Sequence, residues 1–215
     1  MLARIFKYFK MYPLLMGMTL LSLTLFLVMA NIVTDKNSSF AWDEKIRVLI
    51  NTIRSSQLDY WVELFTNLNG AEGVASFSLI IFSILIYNRW FRDIQFYIIS
   101  VIGASIAFVL IKYSVQRIRP SLEIVDIGGY SFPSGHTTVS TATSLALYLI
   151  FIRKLKSKTL KVFLVFICLA WPLMIAVSRV YLDVHWLSDV LAGLGLGVFW
   201  VTLLMFFFKK SEVKK

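Results

Sequence analysis

The chain has 215 residues, 58% of them hydrophobic, with a mean hydropathy of +0.75 and a net charge of +10. A soluble domain carries roughly 45–50% apolar residues even with Gly counted, and a fold of this size has too little interior to hide more. The composition excludes a soluble globular domain, a disordered chain and collagen-like or mucin-like classes, and it indicates an integral membrane protein. The lone cysteine, Cys168, excludes an intrachain disulfide and a cysteine-based metal cluster.

Six apolar stretches approach the length of about 20 residues that crosses a bilayer core. The first, Met11–Val33, follows a basic start, but its core is long and no A-x-A site follows, so it reads as an uncleaved span. In the segment from Phe40 to Leu68, Trp42, Ile46, Leu49, Ile50 and Ile53 recur at helical spacing among charges. It reads as an amphipathic helix on the extracytoplasmic surface, with Tyr60 and Trp61 at head-group depth. A packed extracellular helix fits the same periodicity. The remaining stretches are Gly73–Asn88, Ile94–Ile111, His136–Ile152, Val162–Val177 and Trp186–Phe208. Backbone groups in lipid must pair within their own segment, so each is expected to be a helix. Gly193, Gly195 and Gly197 give a small-residue spacing that suits close helix packing, and Phe206–Phe208 reads as lipid-facing. With no repeat or linker in view, residues 1–215 read as a single all-α domain.

The basic residues set the expected orientation. With the N-terminus inside, the inner segments hold Arg4, Lys7, Lys10, Arg89, Arg92, Arg153, Lys154, Lys156, Lys158, Lys161, Lys209, Lys210, Lys214 and Lys215, which is 14. The outer segments hold Lys36, Lys45, Arg47, Arg54, Lys112, Arg117, Arg119 and Arg179, which is 8. The bias favours two cytoplasmic termini. Because these cations flank apolar runs, they serve as topology signals and contacts for anionic head groups. Nucleic acid is not an expected partner, and no obligate protein partner is evident.

Both histidines of the chain, His136 and His185, sit where an outer loop meets a span. Histidine switches protonation near neutral pH, so two at one membrane face form a candidate acid–base or nucleophile pair. Upstream of His136, Pro133 discourages a preceding helix, Ser134 is a good N-cap, and Gly135 permits close approach to the backbone. Exposed N–H groups at such a helix start can hold phosphate. Lys112 and Arg119 are seven residues apart, a spacing that in a continuous helix rises about 10.5 Å and returns to nearly the same face. Asp189, four residues after His185, is placed to hold one ring nitrogen and leave the other free to attack. Asp183 reads as a helix cap. Lys112, Arg119 and Arg179 together offer three cations to one anion, each contributing about 4 kcal/mol of attraction at 4 Å and an effective dielectric near 20, before desolvation. That suits phosphoryl transfer, and without a carboxylate cluster for magnesium a metal-free route through a histidine nucleophile is favoured. No cofactor or metal is expected.

Three segments carry a family resemblance: KYSVQRIRP at 112–120, PSGH at 133–136 and SRVYLDVHWLSD at 178–189. They resemble the signature of the type 2 phosphatidic acid phosphatases, the membrane branch of a superfamily that includes vanadium haloperoxidases. The resemblance implies a helical core of that type and an enzyme. It implies that His185 is a nucleophile forming a phosphohistidine, oriented by Asp189. His136 would then protonate the leaving oxygen and activate water for the second step. Lys112, Arg119 and Arg179 would cradle the phosphate, with hydrogen bonds from Ser134 and Gly135. The expected activity is a metal-independent lipid phosphatase of the plasma membrane with an extracytoplasmic site. Bacterial members commonly act on undecaprenyl diphosphate, phosphatidylglycerophosphate or both, and the motifs read only the phosphate. A phosphotransferase that passes the phosphate to a lipid acceptor, and a non-catalytic phospholipid-binding or transport protein, are the alternatives. In the loop from Ser121 to Phe132, Gly128-Gly129 would permit a lid to bend.

Overall fold

Apolar runs bounded by caps and turns become eight helices among the described residues, which are 12–34, 41–120 and 128–210 of a computed structural model. They are α1 (Pro13–Thr34), α2 (Ala41–Thr52), α3 (Ser56–Asn67), α4 (Ala71–Tyr87), α5 (Phe91–Val115), α6 (Gly135–Phe151), α7 (Lys158–Tyr181) and α8 (Leu187–Lys210). The N-terminal cations, Lys36, Phe40, residues 121–127 of the candidate lid, and Lys214 and Lys215 lie outside the described residues.

All six apolar stretches contain helix, but they are not equivalent. Four helices are long and apolar enough to cross a membrane: α1, α5, α7 and α8. A fifth span arises if α3 and α4, bent by 44° at a short break, are taken together. The stretch His136–Ile152 became α6, which is only 17 residues long and buries ten of them, mostly Ser, Thr and Ala. Helices α5, α7 and α8 pack around it, so small Ser, Thr and Ala side chains fill its buried face. The chain is thus an all-helical, multi-pass membrane protein with four to five candidate spans.

Small residues decide how tightly the helices meet. A Cβ on Gly193 would lie 2.9 Å from the Ser134 carbonyl, and one on Gly197 would lie 2.8 Å from the Thr138 carbonyl, so this face of α8 is pressed onto α6. Gly195, on another face of α8, meets the backbone of α1 at Ser22 and Phe26. The expected packing role of the glycine spacing therefore holds. The outward faces remain apolar, as at Leu21 on α1 and Phe166 on α7, as suits helices that cross a bilayer. The Phe206–Phe208 run divides: Phe207 points outward, 62% exposed, while Phe208 packs edge-on against Phe96.

The amphipathic segment forms two helices, α2 and α3, separated at residues 53–55. Ser55 caps α3 by accepting from the Leu58 N–H at 3.3 Å. Ile46 and Ile50 on α2 pack against Ala176, Val180 and Val190, whereas Trp42, Leu49 and Ile53 stay exposed.

Candidate active site

The site is assembled where α5, α6, α7 and α8 end or begin on one side of the bundle. Lys112 belongs to the last turn of α5, and the helix stops three residues later because Gln116 takes a left-handed conformation at φ 55°. The continuous helix expected from Lys112 to Arg119 is therefore not formed. Arg119 instead arrives on the irregular segment beyond the break, and both cations still reach the same cavity. Lys112 Nζ donates to the Tyr130 carbonyl at 2.6 Å. Arg119 donates to the carbonyls of Val184 at 2.6 Å and Gly129 at 3.1 Å, and its Nη1 is 3.4 Å from His185 Nε2.

Ser134 caps α6 as expected, accepting from the Thr137 N–H at 3.4 Å and the Thr137 hydroxyl at 3.0 Å. It is fully buried, and its N–H donates to the Asp189 carbonyl at 3.0 Å, tying the start of α6 to α8. The cavity wall on this side is made by Gly135 and His136 rather than by Ser134. A Cβ on Gly135 would sit 2.8 Å from the Phe108 ring, so a larger residue there would push that ring aside in the cavity. The His136 carbonyl accepts from Asn69 Nδ2 at 2.9 Å, which fixes the first turn of α6 against the α3–α4 break.

His185 and Asp189 come together by a different route from the shared helix face that their spacing suggests. The helix begins only at Leu187, so His185 lies in the preceding turn. The Asp189 carboxylate folds back toward the helix start, where Oδ2 accepts from the Trp186 N–H at 3.0 Å and lies 3.4 Å from His185 Nδ1. Both side chains are almost completely buried. Burial pushes the His185 imidazole down to about 3, against the opposing pull of Asp189, so the ring is neutral at physiological pH. A neutral ring held at Nδ1 presents Nε2 as a nucleophile.

Arg179, in the last turn of α7, is 2% exposed. Its Nη1 lies 3.4 Å from the Thr66 hydroxyl, while its Nε has no hydrogen-bond partner among the described residues. An open donor on a buried guanidinium is costly unless an anion completes it. Neighbouring Ser178 is occupied structurally, donating to the Ile175 carbonyl at 2.7 Å.

One cavity of about 650 Å³ touches Lys112, Arg119, Gly135, His136, Arg179 and His185. Its far limb runs between α4 and α5 and is lined by apolar side chains such as Val74, Phe82, Val101 and Phe108. The structure thus brings together the two histidines and three cations singled out in the sequence, with Asp189 directly behind His185. Among the described residues, no group of three or more His, Cys, Asp or Glu side chains is arranged to hold a metal ion.

Two readings change. Asp183 does not cap α8; its carboxylate accepts from Arg47 Nε at 3.1 Å to each oxygen. Arg117, counted in the sequence only as an outer cation, proves central: Nη1 meets Asp189 Oδ1 at 2.6 Å and Nη2 meets Asp43 Oδ2 at 2.8 Å. No spacing rule could have linked residues 43, 117 and 189. The one hint was that a buried Asp189 needs more than a neutral histidine to balance its charge.

Comparison with known proteins agrees with this architecture. Two curated proteins, both named phosphatidylglycerophosphatase B, are similar in sequence. The one from Bacillus subtilis is 33% identical over 49% of this chain and 51% of its own length. The one from Haemophilus influenzae is 36% identical over 47% and 43%. The matched region is thus about half the length of these relatives. A crystal structure of a transmembrane PAP2 type phosphatidylglycerolphosphate phosphatase from Bacillus subtilis superposes with a TM-score of 0.82, covering 89% of this chain and 96% of that one at 24% identity. Aquifex aeolicus LpxE gives a TM-score of 0.63 over 78% of this chain and 96% of its own at 22% identity. At those identities the likeness speaks for the fold. The sequence profile of the PAP2 superfamily matches residues 93–212, which takes in α6, α7, α8 and most of α5, and the chain belongs to that superfamily.

Proposed function

We propose that this chain is a membrane lipid phosphatase working through a phosphohistidine, on the strength of one observation. A single cavity has a cationic end holding His185, and it continues between two helices as an apolar limb. A phosphate ester of a lipid is the molecule with that polarity. Its phosphate would rest among Lys112, Arg119 and Arg179, which line one end of the cavity. Gly135 and the start of α6, which Ser134 holds, would complete the cradle.

In this reading the bound phosphate monoester first passes a proton to His136; His185 Nε2 then attacks phosphorus as the bond to the leaving oxygen breaks, and His136 protonates that oxygen. His136, now neutral, takes a proton from water as the water attacks the phosphohistidine, releasing phosphate and restoring His185. Asp189 stabilises the positive ring that forms in the first step. The three cations supply charge neutralisation, so the reaction is expected to proceed without a metal.

The residues form a single domain in the plasma membrane, with both termini cytoplasmic and the site extracytoplasmic, as the bias of basic residues favours. In that orientation α2 lies at the outer surface with Trp42, Leu49 and Ile53 turned to the bilayer. Both curated relatives carry the name phosphatidylglycerophosphatase B, which supports phosphatidylglycerophosphate as a substrate. Undecaprenyl diphosphate presents the same phosphate with an isoprenoid chain for the apolar limb. The deciding experiment is phosphate release by purified protein in detergent with excess EDTA, offering each lipid separately. Release that survives chelation is expected. A strict requirement for added magnesium would refute the metal-free mechanism, and no release from either lipid would refute the phosphatase.

A further inference from the structure

Behind the candidate nucleophile lies a buried network that reaches α2, outside the motif segments. Asp43 is 3% exposed and sits against the first turn of α8. Its Oδ1 accepts from the Ser188 N–H at 2.9 Å, and its Oδ2 accepts from the Ser188 hydroxyl at 2.5 Å and from Arg117 Nη2 at 2.8 Å. Arg117 Nη1 donates to Ser188 Oγ at 2.7 Å and to Asp189 Oδ1 at 2.6 Å. The guanidinium carbon lies 5.3 Å from the centre of the Trp186 ring, which covers it from one face. Each carboxylate oxygen of Asp189 is therefore assigned: Oδ1 to Arg117, and Oδ2 to the Trp186 N–H and His185 Nδ1.

We propose that Arg117 and Asp43 are positioning residues for phosphoryl transfer, with Arg117 clamping Asp189 so that Oδ2 faces His185 Nδ1 and Asp43 holding the other arm of Arg117. The proposal rests on the phosphatase reading above, in which His185 Nε2 must be unprotonated and aimed at phosphorus. The physical reason is charge and direction together. One guanidinium serves two buried carboxylates, and its planar fork fixes their angle as an ammonium cannot. Without it, Asp189 Oδ1 has no cation in a dry site. The carboxyl group then holds a proton itself and donates to Nδ1, which moves the ring hydrogen to Nε2 and removes the nucleophile. Neither residue lines the cavity, so both act through Asp189.

The test compares Arg117→Gln, Asp43→Asn and Asp189→Asn in the purified full chain, with phosphatidylglycerophosphate as substrate. The proposal expects kcat to fall about 30-fold or more in Arg117→Gln and about 10-fold in Asp43→Asn, with KM within about threefold of wild type. Added to Asp189→Asn, either change should cost nothing further, because residues acting through one group are not additive. Arg54→Gln removes the ion pair to Asp59 that joins the end of α2 to α3, away from Trp186, and should leave kcat within about threefold. Unchanged kcat in Arg117→Gln, multiplied losses in the double variants, or an Arg54→Gln loss equal to that of Asp43→Asn would each overturn the proposal. If Arg117→Gln does not fold, Arg117→Lys is read instead, where the retained charge without the fork should still lower kcat.

A second readout is independent of turnover. The chain has only two histidines, so the nitrogen NMR spectrum of ¹⁵N-histidine protein reports the His185 tautomer directly. Hydrogen on Nδ1 in the wild type and on Nε2 in Arg117→Gln is expected. Should the wild-type protein release no phosphate, that shift would uphold the clamp while the phosphatase reading fails; an unchanged tautomer would overturn the clamp.

Discussion

Nδ1 of His185 lies 3.4 Å from Oδ2 of Asp189, although only Asp189 is on α8. The contact exists because the carboxylate turns back over the helix start, where it also accepts from the Trp186 N–H. The same group therefore caps a helix and orients a candidate nucleophile. Stability and chemistry are coupled at this point, and substitutions here should be judged on both.

Replacing His185 or His136 with Ala should lower turnover by about 100-fold or more while the protein stays folded, as expected of members of one catalytic unit. Phosphate release measured beside a thermal melt checks this. Near-wild-type turnover in either variant would remove the role assigned to that histidine.

Arg179 is the cation whose Nε is open in a buried setting. Arg179→Lys keeps the charge but loses the fork, and should lower kcat/KM by about 10-fold or more; Arg179→Gln should lose a further order of magnitude. Steady-state kinetics with a lipid phosphate provide the measurement. Full activity in Arg179→Lys would show that the guanidinium geometry is not used.

The apolar limb between α4 and α5 predicts a separation of chain recognition from chemistry. Ala75→Trp places bulk in that limb and should lower kcat/KM for a long-chain lipid phosphate by about 10-fold, while a short-chain water-soluble phosphate ester is hydrolysed as before. Equal losses on both substrates would mean the limb does not carry the chain.

Protonation of His185 should be visible in stability. Unfolded, the ring takes a proton near its ordinary value of 6.5, whereas in the folded protein burial holds it down to about 3. Below the unfolded value the unfolded state binds the extra proton, so stability is present above about pH 6.5 and declines as pH falls toward the folded value. Asp183, held above the usual carboxylate range by burial, acts in the opposite sense at lower pH. Thermal midpoints between about pH 6.5 and 5 should therefore fall in the wild type and fall less in His185→Gln. Parallel curves for the two proteins would contradict the assignment.

The sequence by itself determined the membrane class, the helical content and which residues are candidates for the site. Composition excludes a soluble fold, and lipid forces backbone groups to pair within helices. His136, His185, Lys112, Arg119 and Arg179 were legible together because they fall in three segments that resemble one family signature, although each alone is an ordinary residue for the end of a span. Ser134 was legible as a cap because its role depends only on the next three residues. What the tertiary structure decided was how these groups meet. Gln116 breaks α5 by adopting a left-handed backbone, so Arg119 reaches the cavity from a segment rather than from a helix face. Hydropathy marked the stretch that became α6, and the fold adds that neighbouring helices cover its Ser, Thr and Ala side chains. Arg117 and Asp43 carried no local signal, because a link across 74 positions is set by packing, and neither periodicity nor capping reaches that far. Local rules read what a residue does to its own turn of helix; only the fold shows which distant charge a buried carboxylate has found.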